Sequence, residues 1–266
     1  MTLKRLVAGL AHAVALSCLS IGLAHAQCKR VVISANPDYP PYHWAEGDRI
    51  AGASIALTGR ILDELGVAWE ARNVGPWPRV LKQAEYGQID LVVSLKPTPE
   101  REAYLAFTPS PAFPNPMALF TLKTQAFKFD TYSDLVGKRG GRTAGDRFGE
   151  AFDRYAEQSL KLEDAITLHS NFQKLLAERI DFVVTGLYTG RALLLREGLA
   201  DRIGPLPRLV NEGFIHHGFV RRSPCVSLLE AVDARLAAAR KSGLDRRLLE
   251  EALQEWQQRP GPAPRP

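Results

Sequence analysis

The chain has 266 residues, 45% of them hydrophobic and 24% charged, enough apolar material to bury a core without a disulfide framework or a structural metal. The same composition excludes collagenous, low-complexity and disordered classes. Three cysteines, Cys18, Cys28 and Cys225, are too scattered for a zinc module, and the formal charge of +5 is not gathered into the basic blocks of a nucleic-acid binder.

Lys4 and Arg5 precede an apolar run from Leu6 to about Leu23, and Ala24-His25-Ala26 supplies the small residues that a signal peptidase accepts. Residues 1–26 therefore read as a cleaved export signal, with an uncleaved membrane anchor as the alternative because the run approaches spanning length. Removing Lys4 and Arg5 takes the charge from +5 to +3. The mature chain is expected in the periplasm, where Cys28 and Cys225 either pair or remain two free thiols.

Val31-Val32-Ile33-Ser34 is a β-branched run broken by Pro37, Pro40 and Pro41, so a strand feeds a rigid loop. That loop carries Tyr39, Tyr42 and Trp44, which suits a ligand wall. Ile55, Leu62 and Leu65 fall at helical spacing with Gly66 at the C-terminal cap. A helix from Trp77 through Val80, Leu81 and Ala84 stops at Gly87 and leads into Ile89-Asp90-Leu91-Val92-Val93-Ser94, a buried strand. The grammar returns where a helix starting near Ser170 leads into Ile180-Asp181-Phe182-Val183-Val184-Thr185. Two generic αβ units could coincide in this way; two similarly built lobes would instead point Ser94 and Thr185 into a shared crevice, at the carboxyl ends of their strands.

Met117–Leu122 reads as an interdomain strand. Gly140 to Gly145 reads as a glycine-rich turn, with Asp146 as the N-cap of a helix whose N–H groups could face an anion. The Gly-Lys-Ser/Thr ending of a nucleotide loop is missing, so a carboxylate fits better than ATP. Phe214 to Val220 is another strand, Ser223-Pro224 opens an amphipathic helix with Leu229, Val232 and Leu236, Gly243 interrupts it, and a last helix ends near Trp256. His216 and His217 are neighbours on a strand and point to opposite faces, so no metal site is expected there.

Taken in order, Asp38-Tyr39-Pro40-Pro41-Tyr42, Trp77, Gly87-Gln88-Ile89-Asp90, Thr98-Pro99-Glu100-Arg101, Phe107-Thr108 and Leu135-Val136-Gly137-Lys138 resemble the bacterial extracellular solute-binding proteins of family 3. The resemblance runs from about Val31 to Trp256. It implies an α/β, two-lobed periplasmic-binding-protein-like fold of type II, with the ligand cleft between lobes joined by two hinge crossovers. Residues 27–116 and 211–258 would form lobe 1 and residues 117–210 lobe 2, with 259–266 a frayed tail.

The same resemblance places Arg101 on the ligand's carboxylate, where a forked guanidinium matches bidentately, although a surface ion pair is the plainer role for an arginine. Tyr39 would cover the ligand and Trp77 would form an apolar wall, unless both are core aromatics. Ser94 would hydrogen-bond a ligand amine or water, and Thr185 would match it from lobe 2. This chain departs from the family in three places. Lys96 stands where many members have a hydroxyl, Asp146-Arg147 replaces a hydroxyl pair, and Gly186 stands where an acidic residue would hold the α-ammonium. Either Lys96 and Arg147 face the cleft beside Arg101 and favour an anionic solute, or both turn to solvent.

The expected function is capture of a small carboxylate-bearing solute, an amino acid or related organic anion, by hinge closure. The expected partner is the membrane permease of an ABC-type importer or a sensor, and the expected state a monomer, with no cofactor and no nucleic acid. The alternatives are an enzyme on the same scaffold, similar to cyclohexadienyl dehydratase, and a ligand-sensing subunit. For the enzyme, Asp38, Glu100 and Asp146 form no recognisable acid–base pair.

Overall fold

In the computed structural model the described residues are 28–259; the predicted export signal and the part of the predicted tail beyond Arg259 lie outside them. The chain starts with β1 (Arg30–Ser34), then a three-stranded ribbon of β2 (Asp38–Tyr39), β3 (His43–Glu46) and β4 (Arg49–Ala51). There follow α1 (Ala53–Glu64), β5 (Ala68–Ala71), α2 (Trp77–Glu85), β6 (Leu91–Leu95), the single turn α3 (Pro99–Glu102), β7 (Leu105–Phe107) and β8 (Phe113–Pro114). After these come β9 (Met117–Leu122), β10 (Arg139–Thr143), α4 (Glu150–Ser159), β11 (Lys161–Ala165), α5 (Leu168–Leu176), β12 (Phe182–Gly186), α6 (Leu187–Arg196) and β13 (Ile203–Pro205). The chain returns through β14 (Phe214–Val220) and closes with α7 (Leu229–Ser242) and α8 (Leu244–Gln258).

Two sheets result, in the order β5-β1-β6-β14-β7 with β8 on β14, and β11-β10-β12-β9-β13. In each, the first αβ units pair in parallel and the strands entering from the other sheet pair antiparallel. The repeated Ile-Asp-apolar-Val-Val motif has a structural job. The carboxylate of Asp90 accepts from the N–H of Val32 at 2.8 Å, while its own N–H donates to the Val32 carbonyl at 2.9 Å. Asp181 does the same with Arg139, at 2.7 Å in both directions. Each aspartate thus holds the neighbouring parallel strand at the sheet's entry, where a backbone N–H would otherwise lack a partner.

β6 and β12 are buried along their whole length, as expected of central strands covered on both faces. Val31, Ile33, Leu57, Leu62, Leu91 and Val93 form the core of the first sheet, and Leu119, Phe148, Phe152, Phe182 and Val184 part of that of the second. The chain crosses between sheets twice, side by side: the N–H of Asn115 donates to Gly213 O at 2.6 Å and that of Met117 to Asn211 O at 3.0 Å. Among the described residues no helix is long and apolar enough to cross a membrane.

The glycine-rich segment is not a turn. Gly140 and Gly141 lie inside β10, where a Cβ would collide with Leu162 and Phe182 at the first and approach Ile180 within 2.6 Å at the second. Close packing on the strand therefore explains them. The helix after them begins at Glu150, with Gly149 rather than Asp146 at its N-cap. The same crowding occurs at Gly190 of α6, where a Cβ would come within 2.2 Å of the edge of the Phe120 ring. Gly190→Ala is expected to destabilise the protein by about 1–3 kcal/mol through overpacking; a urea melt unchanged within error would contradict it.

Candidate functional site

Between the two sheets lies a small cavity that opens to solvent. Of the residues named from the sequence, Tyr39, Trp77, Ser94, Lys96, Arg101, Asp146 and Arg147 line it, together with Asn36, His43, Leu95, Asn115, Phe148 and Ile215. Thr185 does not. It is buried within β12 opposite Ala118 of β9. Beyond it a Cβ at Gly186 would come within 2.7 Å of Tyr39 Oη and 2.9 Å of Asn115 Oδ1, so that pair fills the place from which a second-lobe side chain would enter. Tyr42 and Trp44 also leave the ligand wall: both are fully buried, Tyr42 donating its hydroxyl to Pro114 O at 2.6 Å and Trp44 packing on Trp256. In the β2–β3 ribbon, Tyr39 and His43 pair across the strands and face the cavity.

Arg101 is placed by a short, well-defined turn. Thr98 caps α3 by accepting from the Arg101 N–H at 3.2 Å, and Pro99 starts the helix. The guanidinium, 4% exposed, donates to Lys96 O at 2.8 Å and across the cleft to Gly145 O at 2.7 Å, and sits 5.5 Å from the Trp77 ring centroid. Trp77 Nε1 donates to the same Gly145 carbonyl at 3.1 Å. Two of its five donors are engaged by these carbonyls, and the other three have no partner among the described residues. Burial lowers the Arg101 pKa from its ordinary value, and a guanidinium is charged at neutral pH.

Lys96 follows β6 and is buried; desolvation, with Arg101 nearby, brings its ammonium down to about 8. Asp146 presents its carboxyl to the cavity, and desolvation pushes it up to about 7 against the pull of Arg101. Arg147 reaches over the rim to Glu100 at 2.9 Å, an exposed lobe-to-lobe pair worth at most about 1 kcal/mol. A stronger cross-cleft contact is one the sequence did not suggest: Asp38 Oδ2 accepts from the Leu168 N–H at 2.9 Å, at the N-terminus of α5.

Behind the wall a polar relay fixes Ser94, whose backbone is left-handed at φ 52°. Its N–H donates to His217 Nδ1 at 3.2 Å, so the ring proton is on Nε2, 2.9 Å from Thr58 Oγ1. His216 turns the other way, to Thr108 O at 2.8 Å. A second proton on His217 Nδ1 would face the Ser94 N–H, and desolvation already lowers the ring to about 3 and His43 to about 4. Both folded values lie below the unfolded one, so the stability they contribute is present above about pH 6.5 and is lost as pH falls toward 4, by up to about 1.4 kcal/mol per unit for each ring. Asp38, raised to about 6 by burial, and Asp146 act in the opposite sense over about pH 4–7. His217→Gln is expected to make stability rise relative to wild type as pH drops from 6.5 to 4; parallel pH–stability curves would contradict this.

Two α/β lobes joined by paired crossover strands, with a polar cavity between them, define the type II periplasmic-binding-protein fold. The family described as "Bacterial extracellular solute-binding proteins, family 3" matches residues 31–255, and the chain belongs to that family. The arginine-binding extracellular protein ArtP of Bacillus subtilis is 25% identical over 158 residues, 59% of this chain, and the match spans 60% of that relative's length. Among solved structures, AbpA from Streptococcus pneumoniae bound to L-arginine is 20% identical, covers 87% of this chain and 97% of its own, and superposes with a TM-score of 0.71. A histidine kinase sensor domain with similarity to periplasmic binding proteins is 21% identical, covers 89% and 99% of the two chains, and has a TM-score of 0.72.

Asn36, His43, Asn115 and Phe148 complete the cavity without any signal in the sequence. Asn115 lies in a Pro-Asn-Pro stretch of the first crossover, and only its pairing with Tyr39 Oη at 3.0 Å makes it part of the wall.

Proposed function

We propose that the chain captures a small carboxylate-bearing solute by closing its two lobes over it and delivers it to the membrane permease of an ABC-type importer. The moving bodies in this reading are residues 27–116 with 211–258 and residues 117–210, hinged at the paired crossovers. The observation that carries it is Arg101: a buried, anchored guanidinium on the wall of an interlobe cavity, with donors to spare and no ion pair among the described residues. A carboxylate is the group such a fork receives best. Family membership and the arginine-bound relatives support solute binding as the task; the cations on this cavity's wall favour an acid over a basic ligand.

The working location is the periplasm, following cleavage after Ala26, and the working state is a monomer. A thermal-shift screen of amino acids, mono- and dicarboxylates and short peptides tests the reading directly. Stabilisation by one or more carboxylates supports it; stabilisation only by uncharged or purely cationic compounds overturns it.

A further inference from the structure

Lys96 is the residue that the carboxylate reading leaves unexplained. Its side chain is 8% exposed, and among the described residues its ammonium has neither an ion pair nor a side-chain hydrogen bond. The head lies at the hinge. A Cβ on Gly213 would collide with Lys96 Nζ and come within 3.0 Å of Asn211 Oδ1 and 3.2 Å of Asn115 O, so the second crossover keeps a glycine where the ammonium sits. The one carboxylate that raises the lysine's pKa, Asp153, is already engaged by the N–H groups of Phe148 at 3.0 Å and Gly149 at 3.2 Å. An unpaired cation this deeply buried is costly unless a ligand supplies the counter-charge.

The rest of the wall offers little to a cation. Among the described residues Asp146 is the only acid lining the cavity, and it is faced by Arg101, Asp38, Arg142 and Arg147, with Tyr39 across from it. Arg142 is tied to Asp164 at 2.7 Å and Arg147 to Glu100, which leaves Arg101 as the cation Asp146 answers to. Opposite, the Tyr39–Asn115 pair occupies the space before Gly186 with neutral groups.

Resting on the carboxylate reading above, we infer that the ligand is a small dicarboxylate without an α-ammonium, one carboxylate on Arg101 and the other on Lys96 at the hinge. Binding the second carboxylate there joins ligand charge to the two crossovers that must bend for closure. Because Lys96 must be charged and Asp146 is best neutral beside a dianion, binding takes up protons above neutrality, and affinity falls as pH rises through about 7 and 8.

The test is titration calorimetry at pH 7 with the three- to six-carbon straight-chain diacids, the half-amide of the best one, and L-glutamate. The best diacid is expected to bind at least about thirtyfold more tightly than its half-amide, the factor that a buried charge pair supplies. In Lys96→Met that ratio is expected to collapse toward one, and Gly213→Ala, which displaces the ammonium without removing it, should reduce the ratio if Lys96→Met does not fold. Titrations in buffers of different ionisation enthalpy at pH 8 should show proton uptake with the diacid. A half-amide as tight as the diacid, tighter binding of L-glutamate, or an unchanged ratio in both variants overturns the dicarboxylate assignment while leaving the Arg101 reading standing. Carboxylate binding indifferent to Arg101→Ala overturns both.

Discussion

Arg101→Ala is expected to raise the Kd for the best carboxylate ligand by about a hundredfold to a thousandfold, the range found when one partner of a buried, hydrogen-bonded charge pair is truncated. The anchoring explains why the effect is large. With one N–H on Lys96 O, another on Gly145 O and the plane near Trp77, the fork loses little freedom when a carboxylate arrives, so ligand bonds add to an ordered group. Arg101→Lys retains the charge but neither the fork nor its anchors, and should fall between the two. The alanine variant also takes the donor from Lys96 O, while Gly145 O keeps Trp77 Nε1, so a modest drop in melting temperature accompanies it. Affinity measured on folded protein separates the two effects. Equal stabilisation of wild type and variant by the best ligand would refute the clamp.

Removing the disulfide should have the largest effect on stability. Cys28 and Cys225 are bonded, with Cα atoms 4.7 Å apart and a sequence separation of 197. The bond ties the segment before β1 to the turn before α7, so the opening stretch of chain is stapled to the stretch that returns from the other sheet. A closed loop of that length removes about 5 kcal/mol of denatured-state entropy in the chain model, and native-state relaxation reduces the observed figure. A Cys28→Ser/Cys225→Ser double variant is accordingly expected to melt roughly 10 °C lower at neutral pH. Loss of less than about 2 °C would show that the loop carries little constraint. Intact mass with and without reductant provides the control.

The elements that could be read from the chain alone were those whose signal is local. The helix ending before Gly66, the helix from Trp77 to before Gly87, and the two buried strands after Ile-Asp all have periodicity and a punctuating residue within ten positions. Misreadings arose where one composition serves two ends. Gly140 and Gly141 could make a turn or admit a close neighbour, and only the approach of Leu162, Phe182 and Ile180 decides. Tyr42 and Trp44 looked like ligand aromatics for their density, yet the ribbon directs them into the core.

The equal register of Ser94 and Thr185 was a sound local parallel with unequal outcomes. Both end a central strand, but Ser94 lines the cavity with its hydroxyl accepting from Ser54, while Thr185 is packed inside its own sheet and the Tyr39–Asn115 pair occupies the space beyond it. No local pattern encodes what the opposite lobe brings to a given point.

The amino-acid sequence by itself determined the existence of two αβ units and the residues of the Thr-Pro-Glu-Arg turn, because helix caps, buried strands and that turn act over a few residues, and the two-lobed fold followed from the family resemblance. The tertiary structure decided which charges meet. Lys96 and Arg101 are five residues apart, but the Asp153 that is already engaged and the Gly213 that makes room at the hinge come from segments more than fifty residues away. Electrostatic balance in a cleft is a sum over groups brought together by folding, and that sum sets which solute the site can hold.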